Sequence, residues 1–318
     1  GNTRGPMGTR LNDKSASHSG NLRIRTFRAA GIVPMQVCFR FAQFCFLAVA
    51  FSCGAMLAAR LDAADGMQYP LSIASHNKTL FVADRNLPGV WKIADGKGSV
   101  FFQASKKFRT PLNAVRCVAI DKDGKLLAGD SSTREVFRFD DAGKPQPLTD
   151  GEIGIPMAIA VHSSGDLYVA DLELHRIVIV PADGSKPRDF IEVPAPRGVA
   201  FDSEDRLWIV SHGPHHLLRA DAEGKLETVV EGRVFEFAHT IVVDSQGVAY
   251  VADGYAKAIW RIAPGEKPKK WVSGEPLDNP VGLTLDGDSV IVVDPRANAI
   301  FRIEGEGKLA RVPVEIAR

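Results

Sequence analysis

The chain has 318 residues, with 39 Lys plus Arg against 38 Asp plus Glu and a net charge of +1. Mixed signs along its length leave no broad basic field, which argues against a nucleic-acid-binding role. Three of the four cysteines, Cys38, Cys45 and Cys53, share one apolar stretch, so Cys117 stands alone in the remainder and no disulfide framework is available there.

Residues 1–34 are polar and carry Arg4, Arg10, Lys14, Arg23, Arg25 and Arg28 against Asp13, reading as a basic tail, with Met35 as the alternative start. A short basic lead follows to Arg40, then 41–59 run without a charge, and Leu61-Asp-Ala-Ala64 offers the small residues a signal peptidase needs. Residues 35–64 are therefore expected to be a secretory signal, placing the body in the periplasm or outside the cell. The alternative is an uncleaved signal anchor, because 41–59 are just long enough to span a bilayer. Membrane attachment is expected only through that segment.

From Tyr69 to Arg318 one pattern recurs six times, at a period of about 40 residues. First strands are expected at Leu71–Ala74, Arg116–Ile120, Met157–Val161, Arg197–Phe201, His239–Val243 and Val281–Leu285. Asp/Ser/Gly turns follow them, such as Asp121-Lys-Asp-Gly124 and Asp244-Ser-Gln-Gly247. Second strands are expected at Leu80–Asp84, Leu126–Asp130, Leu167–Asp171, Leu207–Ser211, Ala249–Asp253 and Val290–Asp294. Third strands such as Val136–Phe139 and Ile300–Ile303 carry Lys or Arg in third place in five of the six copies, as an outer strand open to solvent on one side would. A last hairpin leads to a short outer strand, for example at Phe101-Phe102 or Trp271-Val272.

Four antiparallel strands in each of six copies, with no helical periodicity, predict an all-β six-bladed β-propeller over residues 69–318. A single unit cannot bury its own apolar faces, so the copies must pack on one another. The pattern begins on an inner strand and ends on an outer one, so the first and last blades are expected to close the ring by packing face to face. A monomer is expected.

Pro196-Arg-Gly-Val-Ala-Phe-Asp202, Gly165-Asp-Leu-Tyr-Val-Ala-Asp171 and Pro280-Val-Gly-Leu-Thr-Leu-Asp286 carry a resemblance to the NHL-repeat propellers and, more loosely, to the gluconolactonase/regucalcin-like superfamily. It spans the whole repeat body and implies the propeller fold, but it does not single out a function, since such propellers serve as binding scaffolds, lactonases, lyases and sensors. Asp253-Gly-Tyr-Ala-Lys-Ala-Ile259 is similar to a stretch of the peptidyl-hydroxyglycine amidating lyases, which implies Tyr255 as the matching site tyrosine. Those enzymes bind zinc through histidines at several strand starts, whereas here only His239 matches. The Glu-Gly-Pro and Pro-Asn-Gly segments that hold calcium in gluconolactonase-like enzymes are replaced by Pro70-Leu71 and Pro280-Val281.

The start of each first strand and the end of each second strand must lie at one end of a blade. Two rings should therefore surround one mouth of the central channel. The end ring, Asp84, Asp130, Asp171, Ser211, Asp253 and Asp294, is nearly uniform and reads as structural, its carboxylates accepting backbone N–H groups of the following turn. The start ring, Leu71, Arg116, Met157, Arg197, His239 and Val281, varies from copy to copy. Arg116, Arg197 and His239, joined by Tyr255, are expected to bind a small anionic ligand or a protein partner, with pairing of each arginine to a nearby aspartate as the alternative. The fourth copy departs most, with Ser211-His-Gly-Pro-His-His216. A non-catalytic binding module without a cofactor is the first expectation. A zinc- or calcium-dependent hydrolase or lyase at the same mouth, with His212, His239 and Asp253 as ligands, is the alternative.

Overall fold

Apolar runs such as Leu167–Asp171 and Ser289–Asp294 are buried at every position, as strands covered on both faces must be. The computed structural model describes residues 66–316 apart from Lys106 and Phe108. The expected basic tail and the signal or anchor over 35–64 lie outside the described residues.

The described chain is a six-bladed β-propeller, each blade four antiparallel strands in sequence order. Blade one holds β1 (Pro70–His76), β2 (Thr79–Asp84), β3 (Gly89–Ala94) and β4 (Lys97–Gln103), and blade two β5 (Val115–Ile120), β6 (Leu126–Asp130), β7 (Glu135–Phe139) and β8 (Pro145–Pro147). Blade three comprises β9 (Pro156–Val161), β10 (Leu167–Asp171), β11 (Arg176–Val180) and β12 (Arg188–Glu192). Blade four comprises β13 (Pro196–Phe201), β14 (Leu207–Ser211), β15 (Leu217–Ala220) and β16 (Leu226–Val230). Blades five and six complete the ring with β17 (Ala238–Val243), β18 (Ala249–Asp253), β19 (Ala258–Ile262), β20 (Lys269–Ser273), β21 (Gly282–Asp286), β22 (Ser289–Asp294), β23 (Ala299–Glu304) and β24 (Lys308–Arg311).

The innermost strands β1, β5, β9, β13, β17 and β21 each contact the next around the ring, and β1 meets β21. Each is hydrogen-bonded on one side only, so the other edge lines the channel with backbone polar groups. Side chains bridge some of these edges: Ser72 Oγ accepts from Val118 N at 3.1 Å, and Thr240 Oγ1 donates to the Val281 carbonyl at 2.6 Å. Blades four and five approach so closely that a Cβ on Gly198 would lie 2.8 Å from the His239 carbonyl oxygen, which only glycine tolerates.

The core lies between blades. Ile73, Val82 and Trp91 of blade one pack on Val281, Ile291 and Val293 of blade six, and equivalent layers fill the other junctions. Closure differs from simple face-to-face packing. A further strand, β25 (Glu315–Ile316), returns past blade six and pairs in parallel with β4, through Glu315 to Lys97 and Ile316 to Gly98. The sheet of blade one thus gains a fifth strand from the far end of the repeat, and Val314, 8% exposed, joins the blade one–six core. A segment this short carries no periodicity and leaves no mark on the repeat pattern.

Candidate functional site

The end-ring aspartates are fully buried and act as braces. Asp253 Oδ2 accepts from Glu236 N at 2.8 Å and Trp260 Nε1 at 3.1 Å, while Oδ1 accepts from Phe237 N at 2.8 Å. Asp294 takes N–H groups of Asp278, Asn279, Arg296 and Ala297, and Asp84 and Asp130 do the same in their blades. Each carboxylate ties the segment ahead of the first strand to the loop after the second. In blade four Ser211 does this work instead, donating to the Pro194 carbonyl at 2.6 Å and accepting from Gly213 N.

The start ring is set apart by a backbone device. In five blades the ladder between first and second strands slips by one residue at this point, for example from Val115 opposite Asp130 to Cys117 opposite Gly129. Leu71, Arg116, Met157 and Arg197 are the extra residues of these β-bulges, and His239 shares the bulge of blade five with Thr240. A bulged residue has no ladder partner and its side chain is re-aimed, here towards the channel mouth.

The mouth opens onto a central cavity of about 610 Å³ lined by all six inner strands. Its polar side chains include Arg85, Arg116, Arg197, His239 and Asn279, and among the described residues no Asp or Glu lines it. Arg116 Nε donates to Ser131 Oγ at 3.1 Å. Arg197 Nε is buried without a hydrogen-bond partner. Among the described residues neither guanidinium forms an ion pair, so the expected alternative of arginine–aspartate pairing is not what holds them. Burial, and after it the charge of Arg116, lowers the Arg197 pKa. Burial and the charge of Arg85 lower that of Arg116, with Asp130 opposing.

The group that faces Arg197 is an aromatic ring. The Arg197 guanidinium lies over Phe237, 5.4 Å from its centroid, a contact that holds the cation without neutralising it. Phe237 also meets His212 at 4.5 Å and His239 at 5.0 Å, both edge-on, and stacks on Tyr255 at 4.7 Å. It therefore joins four of the residues singled out from the sequence. Tyr255 itself is 60% exposed and lies on the rim, outside the cavity lining, reaching the site only through Phe237.

His239 is not a third cation. Burial foremost, then the charges of Arg197 and His212, lower its pKa to about 4 against a smaller opposing effect of Asp253, so the imidazole is neutral near pH 7. Its Nε2 and the amide of Asn279 crowd the space above Gly254, where a Cβ would press on both side chains. His212 Nε2 lies 2.7 Å from the Ala238 carbonyl, which makes that nitrogen a donor, and burial lowers its pKa as well. His216 is turned into the blade, against Arg233 and Phe235 N, and His215 faces Glu231. The proposed metal set of His212, His239 and Asp253 does not come together: His212 is bound to a carbonyl and both Asp253 oxygens hold N–H groups. Among the described residues no three His, Cys, Asp or Glu side chains are grouped to hold a metal ion.

Arg85, Phe237 and Asn279 were missed in the sequence because Arg85 sits one position after the end ring, and Phe237 and Asn279 two positions before the start ring. The column ahead of the strand starts reads Tyr69, Ala114, Ile155, Ala195, Phe237 and Asn279, and the column after the strand ends reads Arg85, Ser131, Leu172, His212, Gly254 and Pro295. The two columns adjoin, since N–H groups of the second bond carbonyls of the first in five blades, Arg85 to Tyr69 and Gly254 to Phe237 among them. Pro295, in the sixth, has no N–H to give. Variation in these columns was the available signal.

No family model matches the chain, and no curated protein matches it. Solved structures do. A virginiamycin B lyase from Staphylococcus aureus is similar over 80% of this chain and 87% of its own, at 18% identity and a TM-score of 0.61. A gluconolactonase from Xanthomonas campestris is similar over 77% of this chain and 86% of its own, at 16% identity and a TM-score of 0.64. A chain of a nidogen/laminin complex is similar over 74% and 88%, at 15% identity and a TM-score of 0.58. At these identities the likeness is one of fold, shared by a lyase, a gluconolactonase and a chain of a nidogen/laminin complex.

Proposed function

We propose that this propeller is an enzyme of hydrolase or lyase type acting on a small anionic substrate at the arginine-lined mouth. The observation that carries the reading is the convergence of Arg116 and Arg197, unpaired, on one cavity beside a neutral imidazole. Guanidinium groups bind a carboxylate and stabilise the negative charge that develops when a proton leaves its α-carbon or when water attacks a lactone carbonyl. His239 is the group placed to take that proton, and Asn279 beside it is a hydrogen-bonding partner for the reacting oxygen. An anion on Arg197 also offsets one of the charges that hold the imidazole pKa down, so substrate binding itself raises the basicity of His239. The fold-level likeness to a gluconolactonase and a lyase accords with this chemistry. No step is assigned to a metal, since the donor set does not fit one. The NHL-type repeat and the secretory signal in 35–64 belong to the same proposal, and cell fractionation tests the latter.

A non-catalytic anion-binding module is the second reading. It is favoured by the commitment of the mouth aspartates to backbone N–H groups, which leaves no carboxylate to partner His239. A panel of lactones followed by proton release, and of β-substituted carboxylates followed by absorbance of the new double bond, separates the two. Turnover that falls by about 100-fold or more in His239→Gln, while Arg197→Met weakens substrate binding, supports the enzyme. Turnover unchanged in His239→Gln removes His239 from the mechanism, and anion binding with no turnover in either panel favours the module.

A further inference from the structure

We infer that the ligand of this mouth is a dianion, its two charges shared between Arg116 and Arg197. The inference rests on the anion site proposed above and adds the charge of what fills it. Among the described residues, the cavity lining holds Arg85, Arg116 and Arg197 and not one carboxylate. Arg85 is exposed and can shed its field into solvent, whereas Arg116 and Arg197 are half-buried and repel each other. The one carboxylate that acts favourably on Arg116, Asp130, has both oxygens turned to its own loop, accepting from Ala114 N, Ser132 N, Ser132 Oγ and Thr133 Oγ1.

Two cations withdrawn from water without counter-ions are an unfavourable arrangement for a fold to keep, and removing either should relieve it. A monoanion offsets one charge and leaves the other bare. A dianion offsets both. The hydrogen bonding is equally specific: Ser131 occupies Arg116 Nε, and Phe237 supports Arg197 from the face of its ring, so the cation is held in place while its polar edge stays open. A dicarboxylate and a phosphoryl group share the chemistry that such forks recognise.

Calorimetric titration of the full chain with succinate, butyrate and inorganic phosphate tests this, with Arg116→Gln and Arg197→Gln as variants. Succinate should bind about tenfold or more tightly than butyrate to the wild type, and the two should converge in either variant with butyrate binding retained. Both variants should unfold at or above the wild-type temperature, which shows that lost affinity is not lost folding. Phosphate binding more tightly than succinate supports the same shared dianion and identifies the phosphoryl group as its carrier. Succinate and butyrate binding alike in the wild type overturn the dianion while leaving an anion site. Binding of none of the three overturns the anion site itself, and the dianion with it.

Discussion

At the scale of single residues, His239 is the most exacting test of the site, because its neutrality follows from its surroundings. Arg197 and His212 face it as positive or potentially positive groups and Asp253 as the opposing negative one. Its pKa is near 4 in the folded chain and about 6.5 when unfolded. Between those values the unfolded chain binds a proton that the folded one does not, so stability falls as pH drops from about 6.5 towards 4. His212 and His216, whose pKa values are also lowered, act in the same direction. In His239→Gln that loss should shrink by about 1–2 kcal/mol, allowing for solvent at the mouth, and urea unfolding of both proteins at pH 7 and 4.5 measures it. A loss of equal size in the two proteins would mean that His239 is solvated and free to protonate. Its place in the start ring was legible in the sequence, but its charge was not. Nothing in the residues near His239 along the chain reveals the burial and the guanidinium that set its pKa. Phe237 stayed hidden for a related reason: a phenylalanine before a strand start reads as core, and only the fold brings Arg197 over its ring.

Among the structural elements, β25 is the one that periodicity could not reveal. It pairs with β4, and its lead-in residue Val314 packs with Ile73 and Trp91, while Gly98 leaves the room that Val314 and Ile316 occupy. Val314→Asp should lower stability by about 2–3 kcal/mol or more, since it loses a buried side chain and places a charge in an apolar layer. Denaturant midpoints of this variant and of a surface control such as Glu306→Asp compare the two, and equal midpoints would show that the strap does not help close the ring. The other strands were readable because the end-ring aspartates, the turn glycines and the apolar runs recur in fixed register. The strap occurs once, so no second copy exists to align it with. Arg85 and Asn279 escaped notice through a similar limit, since the columns they occupy vary around the ring and look like loop until the bond between Arg85 N and the Tyr69 carbonyl shows them to be framework.

For the molecule as a whole, interlocking apolar layers at every blade junction couple the six units, so unfolding of one exposes both neighbours. Trp91 reports on blade one, Trp208 on blade four, and Trp260 and Trp271 on blade five. In each variant that keeps one tryptophan, the urea midpoint read by its fluorescence should coincide with the midpoint read by circular dichroism of the whole sheet structure, as expected of one cooperative transition. Separate midpoints would mean that blades melt independently and that the closure seen here is weak. The ring also explains why fold and function parted company in the sequence. Every blade must satisfy the same packing, so the fold is written six times over, whereas a site at the shared axis takes one or two residues from each and is written once.

The slipped ladder at the strand starts gives that arrangement a practical outcome. Arg116, Arg197 and their counterparts in the other bulged blades stand beside the hydrogen-bonded rungs and not within them, so replacing one removes no rung. Chemistry at the mouth can therefore be rewritten one blade at a time on an unchanged frame. A lineage, or an engineer, could move such a propeller from one small acid to another by changing single side chains whose loss the scaffold hardly registers.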